Sequence, residues 1–158
     1  MMYWKPVAWT LATAYAALAA LPAAAQSTGK PVVIELTQIP CQFLESENGK
    51  DQGFKSMKGP DCEAINAKTG SARLAAAKTL ELKPGKYVFR VTNKNVPYEL
   101  GFWLRGDGTI ARATLPSVSG GGLTTGKTQD YEVELKPGNY VYSCPLNPTP
   151  DYKLIVKS

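Results

Sequence analysis

The only side chains in this 158-residue sequence with which chemistry could be built are three cysteines and a scatter of carboxylates, because it contains no histidine. That removes Ser-His-Asp catalysis, Cys-His nucleophile pairs and every imidazole-ligated metal site. Carboxylates are present, but nothing in the sequence brings two of them to one cleft, so a hydrolase has no residues to rest on and the chain is not expected to be an enzyme. The remaining candidates are Cys41, Cys62 and Cys144 with Glu45, Glu47, Asp61, Glu63 and Glu99. Thiolate suits soft ions such as Cu(I) and carboxylate suits harder ions such as Fe(III), so a mixed site would take copper or iron. Three is an odd number. In an oxidising compartment two cysteines pair and the third is a free thiol or a ligand.

Spacing alone leaves three arrangements open. A Cys41–Cys62 disulfide would pin the segment between them and leave Cys144 as a buried inert thiol or a weak one-thiol site. Cys41 and Cys144 would otherwise form a metal pair or a redox-switchable disulfide. In the third arrangement all three thiols surround one soft metal. The acids Glu45, Glu47 and Asp51 either keep a loop solvated or gather a cation beside Cys41, and Asp61-Cys62-Glu63 adjoins them.

The elements that must position these residues begin after a leader. Lys5, an apolar run from Val7 to Leu21 and the small residues Ala23-Ala24-Ala25 make the three parts of a secretory signal over residues 1–25. The apolar run falls short of the ~20 residues that span a bilayer. The mature domain, 26–158, is therefore expected to be soluble and periplasmic. Its net charge, +5 for the whole chain, comes from scattered Lys and Arg rather than a dense basic run, so no nucleic-acid partner is expected.

Short alternating segments follow: Pro31–Gln38, Leu80–Leu82, Tyr87–Thr92, Glu99–Leu104, Tyr131–Leu135, Tyr140–Ser143 and Lys153–Val156. Turn signals rich in Pro, Gly and Asn separate them, the pattern of an all-β, Greek-key antiparallel β-sandwich. Alternation assigns Val33, Leu82, Val88, Leu104, Val133, Val141 and Ile155 to its core. A long insertion, approximately 41–78, follows the first strand, with room for one or two short helical turns between Asp61 and Ala77. The motif Leu-Lys-Pro-Gly-x-Tyr occurs at 82–87 and again at 135–140. Its Pro and Gly set a turn, and its Tyr is placed to bond back to the corner backbone. Residues 121–128, Gly-Gly-Leu-Thr-Thr-Gly-Lys-Thr, match the phosphate-binding P-loop pattern. An alternating segment follows where that loop needs a helix N-terminus, so no nucleotide is expected.

The segment Leu135–Pro145 resembles the C-terminal strand of cupredoxins leading into the metal-binding loop. Arg90–Asn95 followed by Tyr98-Glu99-Leu100 resembles the stretch that carries their first copper histidine, and Tyr98 stands where that histidine is expected. Pro145–Asp151 replaces the remaining His and Met, so a type 1 blue-copper site is not expected. The chain is most similar to the EfeO-type cupredoxin domain of periplasmic iron uptake. That resemblance covers about Pro31–Cys41 and Leu80–Ser158 and implies Cys41 and Cys144 as metal ligands with Glu99 as the acid, Cys62, Glu45, Glu47 and Glu63 standing by. It implies metal handling, for copper or iron, with a membrane metal transporter or another periplasmic protein as partner. A metal-free degenerate cupredoxin serving as a protein-interaction module is the alternative. In it, Pro145–Pro150 would be an exposed apolar patch, and Tyr98 and Trp103 would be core or rim aromatics.

Overall fold

The computed structural model describes residues 29–158 and the first two residues; the leader expected over 1–25 lies, from its third residue on, outside the described residues. In chain order the elements are β1 (Val32–Ile39), β2 (Gln42–Phe43), α1 (Gly59–Ala76), β3 (Leu80–Leu82), β4 (Gly85–Asn93), β5 (Leu100–Gly106), α2 (Thr109–Thr114), β6 (Val118–Leu123), β7 (Thr128–Leu135), β8 (Gly138–Ser143) and β9 (Tyr152–Val156). They form two sheets, ordered β2-β1-β4-β7 and β3-β9-β8-β5-β6. The expected β-sandwich is present, but it is not wholly antiparallel. β1 runs parallel to β4, and β3 runs parallel to β9. A parallel neighbour needs a long crossover, and the insertion between β1 and β3, including α1, provides it for β1 and β4.

The inner faces meet around aromatic rings. Phe102 lies 5.1 Å from Tyr131, 5.4 Å from Phe89, 6.1 Å from Phe43 and 6.2 Å from Tyr142, centroid to centroid. Leu36, Val91, Leu104, Leu135, Leu154 and Val156 fill the spaces between them. Each fully buried side chain of this size stabilises the fold by about 1.5–3 kcal/mol. The core expected from alternation is only partly right. Leu104 is inside, Leu82 and Val133 pack on its margin, and Val88 and Val141 are buried outside the central cluster. Val33 is exposed, and Ile155 alternates with the inward Leu154 and Val156. The slip is one residue, which moves a side chain to the opposite face. Beside Val88 and Val141 the inward positions are the aromatic Tyr87, Phe89, Tyr140 and Tyr142, and beside Val33 and Ile155 they are the aliphatic Ile34, Leu36, Leu154 and Val156.

Those tyrosines keep their hydroxyls bonded, which is what allows them inside. The repeated motif explains two of them. Tyr87 Oη donates to Lys83 O and Tyr140 Oη donates to Lys136 O, each at 2.8 Å, closing the corner four residues back. Gly85 and Gly138 hold φ of +153° and +155° in these turns, a region that disfavours any side chain.

The insertion and the Gly-rich connection differ from the sequence reading, whereas the segment after the P-loop match is a strand as expected. The insertion holds one 18-residue helix, α1, rather than one or two turns. Its inward positions are Cys62, Asn66, Gly70, Arg73 and Leu74, spaced for a helix but mixed in polarity, so hydrophobic periodicity could not find it. The Gly-rich stretch at 118–123 is a strand, and α2 packs close over Gly106, where a Cβ would lie 2.2 Å from Ala111 O. The P-loop match runs from β6 through a turn into the first residue of β7, and no helix follows it.

The two corner tyrosines order a stability test. Tyr140 Oη also accepts from Lys136 N–H at 3.2 Å, whereas Tyr87 makes the single bond. Tyr140→Phe should cost about 1–3 kcal/mol and Tyr87→Phe about 1 kcal/mol, read from urea unfolding midpoints. Absent shifts in both variants would remove the corner from the account of the fold.

Candidate functional site

β1 turns into β2 through Pro40 and Cys41, and Cys41 adopts a left-handed φ of +64°. Pro presets the first turn position, but the second asks for Gly or Asn, so a cysteine there costs on the order of 1 kcal/mol. Such strain persists only when the surroundings over-determine it, and Cys41 is held at every polar atom. Its N–H donates to Asn147 Oδ1 at 2.9 Å, its carbonyl accepts from Arg73 Nη2 at 2.7 Å, and its sulfur is joined to Cys62.

The Cys41–Cys62 disulfide is the structural pairing weighed from the sequence, with Cys144 left free and buried. It closes a loop of 21 residues, worth about 3 kcal/mol in chain entropy. Cys62 sits in the first turn of α1, so the disulfide fixes that end of the helix against the β1–β2 turn. The Asp61 carboxylate caps the helix start by accepting from the Met57 and Lys58 N–H groups at 2.8 and 3.2 Å. Farther along, Asn66 Nδ2 donates to Pro148 O at 2.6 Å.

Arg73 and Glu47 make a fully enclosed ion pair. Arg73 Nη2 is 2.6 Å from Glu47 Oε1, Arg73 Nε donates to the same oxygen at 2.9 Å, and Tyr152 Oη donates to it at 2.6 Å. Gln52 Nε2 donates to the other oxygen at 3.1 Å. Burial, then the Glu47 bond and charge, push the Tyr152 hydroxyl far above the usual tyrosine range. Glu47 is therefore a fastening between the insertion and the sandwich. Removing one partner would strand a buried charge, at about 3–5 kcal/mol.

Asn147 is the hub of the site. It is completely buried. Its Nδ2 donates to Ile39 O at 3.0 Å. Its Oδ1 accepts from Cys41 N–H and, at 3.1 Å, from Tyr98 Oη, and lies 3.1 Å from Cys62 Sγ. Ser56 Oγ and Tyr98 Oη lie 3.0 Å apart. Asn147 N–H points the other way and donates to Cys144 Sγ at 3.2 Å, and Gly101 N–H donates to the same sulfur at 3.4 Å. Burial pushes the Cys144 thiol above its ordinary value of 9.0, against the lowering effect of these N–H donors and of the adjoining Gln38 amide. A thiolate is the reactive and metal-binding form, so Cys144 is held in its inert one. Gln38 Nε2 donates to Gly101 O at 2.7 Å, and its Oε1 is buried without a partner.

The expected ligand set does not assemble. Cys41 and Cys62 share a disulfide and offer no thiolate. Glu99 is exposed and accepts from Gly122 N–H at 2.8 Å. Glu45 accepts from Thr37 N–H at 2.6 Å, and Glu63 is exposed on α1. Among the described residues no group of three or more Cys, Asp or Glu could hold a metal ion. The donors present do not fit a copper or iron centre. Trp103 is on the outer face of its sheet, with the Arg105 guanidinium stacked 4.0 Å over it. Sequence reasoning missed Asn147, Gln38 and Arg73. The signal available was the replacement of expected ligands by Tyr98 and by Pro145–Asp151, which contains Asn147.

Burial of phenol and thiol gives the stability a defined alkaline limit. An unfolded thiol ionises near pH 9.0 and an unfolded tyrosine near 10.0, whereas burial pushes Tyr142 and Tyr131 up to about 12. Above the unfolded values the unfolded chain binds fewer protons than the folded one, so stability falls as pH rises through this window. The loss should reach about 1.4 kcal/mol per pH unit for each group held protonated. Denaturant midpoints from pH 7 to 11 should show it, and Cys144 should resist thiol reagents in the native state. Stability flat across that range would contradict these environments.

No protein-family profile matches the chain. No curated protein matches it either. Among solved structures it is similar to auracyanin B, a cupredoxin, at 13% identity and a TM-score of 0.49, over 84% of this chain and 94% of that one. At that identity and TM-score the likeness says nothing of ligand or activity.

Proposed function

We propose that this chain is an exported, periplasmic cupredoxin-like domain that carries no resident metal and acts as a protein-interaction module rather than an enzyme. The observation that carries the reading is Asn147. A neutral, fully buried side chain spans the space between Tyr98, the Cys41–Cys62 disulfide and the backbone of Cys41 and Ile39. Groups that would have to turn toward a cation are already spent on one another. Export is supported by the leader pattern and by a disulfide of the kind that persists in oxidising compartments. No helix among the described residues is long and apolar enough to cross a membrane.

Metal handling for copper or iron is the second reading, and one observation favours it. Gln38 Oε1 is a buried acceptor without a partner, and the Gln38 amide adjoins the Cys144 thiol. A soft cation there would have to deprotonate a thiol that burial keeps protonated.

Native mass spectrometry of the oxidised protein, before and after adding Cu(I), Cu(II) or Fe(III), separates the two. The expected result is a mass two hydrogens below the fully reduced chain and no stoichiometric adduct with any ion. A one-to-one Cu(I) adduct that disappears in both Cys144→Ser and Gln38→Ala would overturn the metal-free reading.

A further inference from the structure

Near the 50–58 loop the sandwich exposes apolar side chains in company with several lysines. Met57 is 76% exposed and Leu146 is 44% exposed. Neither is a loose tip. Met57 donates its N–H to the Asp61 carboxylate, and the preceding Ser56 is buried with its hydroxyl 3.0 Å from Tyr98 Oη. Leu146 sits between the buried Cys144 and Asn147, and its carbonyl packs against Gly59 at the start of α1. Between the 50–58 loop and the 93–97 turn lies a groove of about 230 Å³, lined by Pro40, Phe54, Met57 and Pro97 and by the polar Lys55, Ser56 and Asn95.

Lys55 and Lys58 flank Met57 in sequence. Lys94 opens the turn on the other side of the groove, and Lys127 adjoins it through the bond from Asn93 N–H to Lys127 O at 2.9 Å. All four lysines are exposed, and none makes an ion pair among the described residues. The nearby acids are engaged locally, Asp61 on the helix start and Glu99 on Gly122 N–H. A hollow of mixed lining that holds Lys55 and is flanked by exposed lysines is complementary to an acidic surface bearing one apolar side chain.

We propose that this face docks an acidic segment of a partner protein, with a large apolar side chain of that segment seated in the groove. The proposal rests on the interaction-module reading above. Concavity favours a protein over a lipid surface: a groove accepts one side chain, whereas insertion into a bilayer calls for protruding apolar residues.

The test is a selection of randomised displayed peptides on the purified protein, with sedimentation on vesicles of phosphatidylglycerol and phosphatidylcholine in parallel. Expected are enriched peptides with clustered Asp or Glu around a large apolar residue. Synthetic versions should bind about tenfold or more weakly to Lys55→Glu/Lys58→Glu and to Met57→Glu, and more weakly as salt is raised. Urea midpoints equal to that of the parent protein show that these exposed substitutions leave the fold intact. Neutral or basic peptides, binding indifferent to these variants, or association with the anionic vesicles alone would overturn the proposal. A Cu(I) adduct together with acidic peptides bound at Met57 would overturn the metal-free reading and leave this face standing.

Discussion

Asn147 ties three separate parts of the chain to one point. Its amide bonds the end of β1 through Ile39 and Cys41, its Oδ1 receives Tyr98 from the loop before β5, and its backbone N–H binds the Cys144 thiol. The left-handed conformation of Cys41 is tolerable because Asn147 and Arg73 hold it from both sides. That conformation places the Cys41 sulfur where α1 can be joined to it. With α1 fixed, Arg73 reaches Glu47, and the loop that carries Met57 is set between helix and sandwich. Remove the amide, and a buried N–H and a buried carbonyl would each lose a partner, at about 1–3 kcal/mol apiece, while the part-buried Tyr98 hydroxyl would keep Ser56 alone.

Polar bonds, together with the packing of Leu74 and Ala77 on the core, attach the insertion. The helix face turned inward includes Cys62, Asn66, Gly70 and Arg73, and its polar partners are a sulfur, a carbonyl and a buried carboxylate. An attachment of this kind is specific in geometry but costly to leave half-made. Glu47, Cys41 and Cys62 are engaged in fastening the helix. The face left beside Asn147 is accordingly one of surface shape and charge.

The strands were legible because β-branched and aromatic residues alternate between strong turn signals, and both tyrosine corners could be read from the repeat at 82–87 and 135–140. Parity was not fully legible. Val33 and Ile155 have aliphatic neighbours of comparable β-propensity that turn inward instead, and on β8 the inward positions are Tyr140 and Tyr142, whose hydroxyls needed partners the sequence does not reveal. Parallel pairing of β1 with β4 depends on the insertion acting as a crossover, which local pattern does not encode. At the site, the disulfide was one of three open pairings, because connectivity is a property of the fold. The replacement of expected ligands by Tyr98 and by the Pro145–Asp151 segment was visible in the sequence. That Asn147 would bond to Tyr98 was not, since the two are 49 residues apart and meet only in three dimensions.

The central claim is that Asn147 and the disulfide occupy the space a cation would need. Its most direct test is a crystal structure of the protein grown with excess Cu(I) and measured at the copper absorption edge. The account predicts Asn147 Oδ1 bonded to Cys41 N–H and Tyr98, with no anomalous peak beside Cys144. An anomalous peak on Cys144 Sγ with the Asn147 side chain swung away would contradict it.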